Sequence, residues 1–396
     1  MPELPQRCGR PPGHRHEPTD ADAARRPDGS TAMTDTAELQ DLASTVRAVL
    51  TKHGDRDALR RAVDSEFGYD QRLWQLLCEQ VGVAALAIPE EYGGIGAELD
   101  TALVVVEELG RTLHNPPMLG SAVLGAQAVL ASGDRAAAQR LLPGVAEGTT
   151  TLAVCWADEN GWATVRSGAS PRGGSGYGVR SDDDTLTGTA HYVLDGGGAD
   201  TLLVVTADGL FEVDAAAPGV TRAVTPTMDP TRRLSAVTFD GVAASRLSAD
   251  AAGVTARLRD IAWAALAAEQ VGAAEQCLDM TVEYSKSRVQ FGRPIGSFQA
   301  LKHRMADMYV LVESARSAAY AAIANLDRPV TAETALDLES ARIHCSQAFR
   351  SVVSETVQMH GGIAITWEHD AHLYFKRAHA DAELFGMPGR PLARPA

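Results

Sequence analysis

Arg288, Gln290, Phe291 and Gly292 stand together in the run Tyr284–Gln299 (YSKSRVQFGRPIGSFQ), and Gln358-Met-His-Gly361-Gly362 follows further along the chain. A guanidinium offers two parallel N–H donors, a geometry that matches phosphate better than an ammonium does. The Gln290 side chain adds amide donors beside it. Glycines at 292, 361 and 362 let backbone N–H groups approach a phosphate or a base with no Cβ in the way. The molecule that carries them is acidic, with 36 Lys and Arg against 51 Asp and Glu and a formal charge of −15. An anionic ligand therefore needs a fixed local cation, and Arg288 is the candidate.

Other reactive residue types lead less far. His14 and His16 lie in a polar tail, and His369 and His372 flank Asp370 on what reads as an exposed helix face, so no metal site is expected. Glu-x-x-His pairs, the mark of a di-iron bundle, do not occur, and neither does a Gly-x-Ser-x-Gly nucleophile elbow. The stretch Ser167–Gly178 (SGASPRGGSGYG) fits neither the P-loop nor the dinucleotide spacing and reads as a loop.

The bulk numbers bound the setting. At 396 residues the chain can bury more than one core. Its negative charge disfavours nucleic acid and anionic lipid as partners. Five scattered cysteines without a Cys-x-x-Cys pair suit a reducing compartment. No run of about 18 apolar residues offers a membrane span, and the N-terminus has no apolar signal core, so a cytoplasmic location is expected.

Three blocks must position the motifs. Residues 1–35 are rich in Pro, Arg, Asp and Gly and are expected to be a disordered tail, with Met33 resembling a natural start. Over 36–150 the apolar spacing is helical: Leu39, Leu42, Val46 and Val49, then Leu73, Leu76, Leu77 and Val81. Over 151–246 short β-branched runs separated by Gly- and Asp-rich turns predict an antiparallel β domain. Over 247–396 long helices return, punctuated by Pro294 and Pro329.

Four motifs, in the right order along the chain, resemble the acyl-CoA dehydrogenase family. Tyr284–Gln299 is similar to its Y-x-x-x-R-x-x-F-G-x-x-[IL]-x-x-x-Q signature, and Gln358–Glu368 to its Q-x-x-G-G-x-G-[FY]. Pro89-Glu-Glu-Tyr-Gly93-Gly94-Ile-Gly96 looks like its P-E-x-x-G-G-x-G turn, and Gly188–Gly196 like its G-x-K-x-[FWY]-[IV]-[TS]-x-[GA] strand. The resemblance implies an α+β fold: an N-terminal helical domain, a middle antiparallel β domain and a C-terminal four-helix bundle. It also implies FAD as cofactor, an acyl-CoA thioester as substrate and a homo- or hetero-oligomer. The implied reaction removes the α proton with a carboxylate while the β hydrogen leaves as hydride to flavin N5. Arg288, Gln290, Phe291 and Gly292 would then hold a neighbour's FAD, with Gln358, Gly361 and Gly362 at its adenosine end. Tyr192 and Val193 would pass the isoalloxazine.

The departures from the pattern are as telling. The family's usual glutamate corresponds to Phe385 and its alternative position to Ala262, so neither supplies a base. The flavin-facing Thr or Ser of the β domain becomes Leu194, and the T-E-P-x-x-G-S-D segment is replaced by Ala157-Asp158-Glu159-Asn160-Gly161. Three readings stay open. A non-standard carboxylate serves, with Glu269, seven residues past Ala262, or Glu368 or Glu383 as candidates. Or the chain is one half of a heteromer whose related partner brings the glutamate. Or the fold serves another flavin reaction, or none.

Overall fold

The structure, a computed structural model, describes residues 36–162, 177–328 and 331–388. The N-terminal tail with His14 and His16, and most of the 167–178 loop, lie outside the described residues. Six helices come first: α1 (Thr36–His53), α2 (Arg56–Asp64), α3 (Gln71–Val81), α4 (Leu99–Thr112), α5 (Ala126–Ser132) and α6 (Arg135–Ala146). Aspartates start three of them, the side chains of Asp55, Asp70 and Asp134 accepting from the N–H of Ala58, Leu73 and Ala137. The Pro89–Gly96 run is a tight turn, and a Cβ on Gly94 would fall 1.8 Å from the Ile88 carbonyl oxygen.

Ten strands follow: β1 (Leu152–Cys155), β2 (Ala157–Asp158), β3 (Gly161–Trp162), β4 (Val179–Asp182), β5 (Thr185–Leu194), β6 (Thr201–Thr206), β7 (Gly209–Asp214), β8 (Val220–Thr225), β9 (Leu234–Ala243) and β10 (Ser245–Ser248). They build two four-stranded sheets, ordered β1-β6-β7-β10 and β4-β5-β9-β8, and β2 pairs with β3. Val193, Leu202, Val204, Phe211, Val237 and Phe239 from both sheets share one core. The expected antiparallel pattern holds except at β1–β6, which is parallel. That pair is possible because the connection between its strands is long enough to cross over and carries β4 and β5 of the other sheet.

The C-terminal part comprises α7 (Ala251–Ser287), a hairpin of β11 (Val289–Gln290) and β12 (Arg293–Pro294), α8 (Gln299–Ile323), α9 (Ala332–His360) and α10 (Ala371–Glu383). With 37 residues α7 is about 55 Å long and runs through the whole bundle. It crosses α4 at reciprocal glycines. A Cβ on Gly272 would sit 2.0 Å from the Glu107 carbonyl oxygen, and one on Gly110 would sit 2.3 Å from that of Glu269. Among the described residues no helix is long and apolar enough to cross a membrane.

A buried charge network joins the β8–β9 connection to the helices. Glu269 of α7 accepts from both Arg232 and Arg377, Arg232 also reaches Asp381 at 2.7 Å, and Arg377 reaches Asp229 at 2.6 Å. Burial alone would raise the Glu269 pKa, but the Arg232 and Arg377 guanidiniums outweigh it and hold the carboxyl below the usual range. Arg342 of α9, fully buried, donates to the carbonyls of Asp381, Ala382 and Leu384 at 2.9–3.0 Å and so fixes the chain just before Phe385.

Two stability predictions follow from these contacts. Glu269→Gln leaves two buried guanidiniums without their shared carboxylate and is expected to cost about 3–5 kcal/mol, read as a lower denaturant midpoint; an unmoved midpoint would show that the network is not a tie. The second concerns Asp195, in the β5–β6 turn, whose buried Oδ2 faces the backbone of Gly120. Burial pushes its carboxyl up to about 7. A raised folded-state value means stability is full below the ordinary carboxylate range and is lost as pH rises toward 7. Asp195→Asn removes that loss, so its gain in Tm over wild type should widen between about pH 4 and pH 7. A constant difference across that range would refute the assignment.

Candidate functional site

The sequence motifs land in two places, one facing outward and one inward. The outward place is the end of α7. Arg288 closes the helix with its N–H on the Tyr284 carbonyl at 2.9 Å, and its own carbonyl accepts from Ile295 at 2.8 Å, pinching off the hairpin. Val289 pairs with Pro294 and Gln290 with Arg293, leaving Phe291 and Gly292 as a two-residue tip. Both have positive φ, 53° and 77°, the requirement of the turn type that matches strand twist. Phe291 is 92% exposed, touching the edge of Phe298 at a centroid distance of 6.0 Å, while Arg293 covers the other ring at 4.1 Å.

The side chain of Arg288 is exposed and forms no ion pair or hydrogen bond among the described residues. The Gln290 amide is exposed too, donating to the Val289 carbonyl at 2.8 Å. At the end of α9, Gln358 is exposed and Gly361 and Gly362 open a short 3-10 turn. A Cβ at 292, 361 or 362 would meet nothing within 4 Å, so the chain's own packing does not require glycine at 362. Tyr284 stacks on His360 at 4.3 Å and its hydroxyl donates to the His360 carbonyl, which brings the ends of α7 and α9 together. Arg288, Gln290, Gly292, Gln358 and the glycine pair thus share one end of the bundle. A bound phosphate would find there an unpaired guanidinium and bare backbone, and the residues fit such a group.

The inward place holds Phe385 and Ala262, with Tyr192, Val193 and Leu194 of β5. Phe385 follows α10, is 2% exposed and takes φ of 59°. Its ring lies 5.7 Å from Trp156 and 5.5 Å from Trp162, and Trp263 Nε1 donates to its carbonyl at 3.1 Å. Trp162 continues to Tyr192 at 5.6 Å. Tyr192 occupies an irregularity of β5 between Ala190 and Val193, with φ of 54°, and its hydroxyl donates to the Glu159 carbonyl at 3.0 Å. Val193 is buried in the core between the sheets, and Leu194 and Ala262 are buried as well.

Glu269 is not placed to act as a base: it is buried, and both oxygens are committed to guanidiniums that favour its charged form. Glu368 and Glu383 are exposed on the surface. Asp370, between His369 and His372, is bound by Arg56 at 2.9 Å and Arg60 at 3.4 Å. The Trp156–Trp162 contribution to the inner cluster was missed at the sequence level, although those tryptophans flank the very segment where the T-E-P-x-x-G-S-D pattern fails.

Models of the acyl-CoA dehydrogenase N-terminal and C-terminal domains match residues 36–149 and 260–388. The chain is 44% identical over 362 residues to the acyl-CoA dehydrogenase IpdE2 of Mycolicibacterium smegmatis, covering 91% of this chain and 98% of that one. Against the IpdE2 of Mycobacterium tuberculosis it is 43% identical over 369 residues, covering 91% and 97%. Among solved structures, a variant of the Tcur3481-Tcur3483 steroid ACAD gives a TM-score of 0.77 at 32% identity, covering 89% of this chain and 94% of that chain. The ChsE4-ChsE5 complex from Mycobacterium tuberculosis gives 0.77 at 28% identity, covering 88% and 93%. With the helix–sheet–helix architecture and the motif geometry in agreement, the chain belongs to the acyl-CoA dehydrogenase family, flavoprotein oxidoreductases that act on a CH–CH bond.

Proposed function

We propose that this chain is one subunit of a hetero-oligomeric, FAD-dependent acyl-CoA dehydrogenase that introduces an α,β double bond into an acyl-CoA thioester. One observation carries the reading: the Arg288–Gly292 arm is turned outward with its guanidinium exposed, while the positions expected for the base hold Phe385 and Ala262. A subunit with that combination serves a neighbour's site. The likeness to the ChsE4-ChsE5 complex and to the two-component Tcur3481-Tcur3483 steroid ACAD supports it.

In this reading each residue has a task that its position allows. Arg288 would hold the FAD pyrophosphate by charge-assisted hydrogen bonding, and among the described residues no intrachain carboxylate competes for it. Gln290 would donate a further amide hydrogen bond, and Gly292 leaves its own backbone N–H uncovered beside the exposed Phe291 ring. Gln358, Gly361 and Gly362 border the adenosine end. The bound flavin supplies the acceptor for the β hydrogen. The α proton goes to a carboxylate of the partner subunit, since this chain's buried Glu269 is already paired. A second reading, a subunit without any catalytic part, is favoured by the aromatic side chains at the inner positions; the two differ in whether the arm touches flavin.

The test is Arg288→Ala in the complex co-expressed with a related subunit. Loss of a bidentate charged contact is expected to lower flavin affinity roughly 10- to 100-fold. Flavin absorbance per complex should drop while the elution volume and far-UV spectrum stay those of wild type. Full occupancy in the variant would remove the arm from the site. A ferrocenium assay over straight-chain, branched and steroidal CoA esters then identifies the acyl group.

A further inference from the structure

We infer that His360 and His369 are positioning residues for a neighbour's flavin: uncharged, they seat the Gly361-Gly362 turn against the Arg288 arm, and an added proton unseats it. They serve that end only if the arm binds flavin, as proposed above. Three rings form a column at this end of the bundle. The Tyr284 ring of α7 stacks on His360 at 4.3 Å with 24° between the planes, and His369 follows at 4.5 Å. The column is tied to both candidate binding elements. The Tyr284 carbonyl accepts the Arg288 N–H, and the Tyr284 hydroxyl donates to the carbonyl of His360, the residue before Gly361. At the other end His369 precedes α10, and its Nδ1 accepts the Ala371 N–H at 3.1 Å.

Both imidazoles are placed to be neutral. His360 is 4% exposed, and its Nδ1 donates to the Thr356 carbonyl at 2.8 Å, which leaves the lone pair of the neutral ring on a buried Nε2. Burial holds this ring below the ordinary histidine range and outweighs the Thr356 and Met280 carbonyls, which favour the charge. His369 is restrained by its own hydrogen bond. A proton on Nδ1 would set donor against donor and uncap the start of α10. Burial first, then His360, with Arg56 and His372 behind, lowers the His369 pKa against the pull of Asp370. That carboxylate is already shared between Arg56 at 2.9 Å and Arg60 at 3.4 Å. The groups around the pair are thus Tyr284 from α7, Arg56 and Arg60 from α2, and Asp370 and His372 at the start of α10. With both folded-state values depressed, the seated turn is fully present above about pH 6.5 and is lost as pH falls below it. Being buried, His360 acts through the turn that it precedes and not by touching a phosphate.

The test uses the complex co-expressed with a related subunit, with FAD affinity followed by flavin fluorescence from about pH 8 to about pH 5.5 at constant ionic strength. Wild-type affinity is expected to fall roughly tenfold below about pH 6.5. His360→Ala removes the middle ring and should weaken binding roughly 3- to 10-fold at neutral pH, and His360→Phe, which restores a ring without a titratable nitrogen, should recover part of the loss. His369→Asn keeps an oxygen to accept the Ala371 N–H. The double variant His360→Phe/His369→Asn should bind more weakly than wild type but with no dependence on pH. A wild-type affinity that does not change with pH overturns the inference, and no variant has to fold for that result. Tighter binding in acid also overturns it, since an imidazolium would then touch the phosphates, and so does a double variant with the wild-type slope. Arg288→Ala in the same complex separates the two readings. Flavin stripped by that variant, beside a flat wild-type profile, sinks this inference and spares the proposed function. Flavin retained by it sinks the proposed function, and amide exchange over residues 361–371 of the chain alone then decides for the histidines. Exchange that quickens in acid beyond the intrinsic rate, in wild type and not in the double variant, upholds the proton-sensitive seat; equal exchange removes it.

Discussion

Five charged side chains withdrawn from water hold the molecule's parts in register. Asp229 and Arg232 belong to the connection before β9, Glu269 to the middle of α7, and Arg377 and Asp381 to α10. Each would be costly to bury by itself, and each is made tolerable by the others. A network of this kind tolerates few alternative arrangements, because moving one member strands its neighbour. Its position matters as much as its strength. Glu269 and Arg288 lie on one continuous helix and its cap, about 28 Å apart along the axis. The same rigid rod that is clamped in the core thus carries the arm at its far end.

That arrangement separates two kinds of surface. At the end of the rod the chain offers charge and bare backbone to something outside itself. Inside, between the β domain and the bundle, Trp156, Trp162, Tyr192 and Phe385 meet ring to ring. The acyl-CoA dehydrogenase architecture is kept throughout, and with it the parts that brace the domains against each other.

Much of this was legible from residue types. The helix–sheet–helix order followed from the spacing of apolar residues, and the arm and the glycine pair followed from short local runs. The hairpin turn is likewise local, since Phe291-Gly292 sits between residues that pair with each other. The rest depends on pairs far apart in sequence. Trp156 and Phe385 meet across more than half of the chain, and no window of sequence contains both. Glu269 looked like a free carboxylate because its partners, Arg232 and Arg377, come from another domain and from the last helix. The parallel pairing of β1 with β6 was hidden for the same reason: the strands between them build a different sheet. A Phe where a Glu is expected can be seen in the sequence, but that it is walled in by tryptophans can be seen only in three dimensions.

The hairpin tip has a further consequence for the life of the chain. A phenylalanine almost wholly in water, on a backbone already set in its final turn, is a ready-made adhesive point. Little conformational freedom remains to be surrendered when it docks, which favours quick and tight capture by a matching surface. The same property makes an unaccompanied copy prone to stick to whatever apolar surface it meets first. In the proposed hetero-oligomer, balanced synthesis of the two subunits would protect the cell from an orphan as much as it would assemble an enzyme.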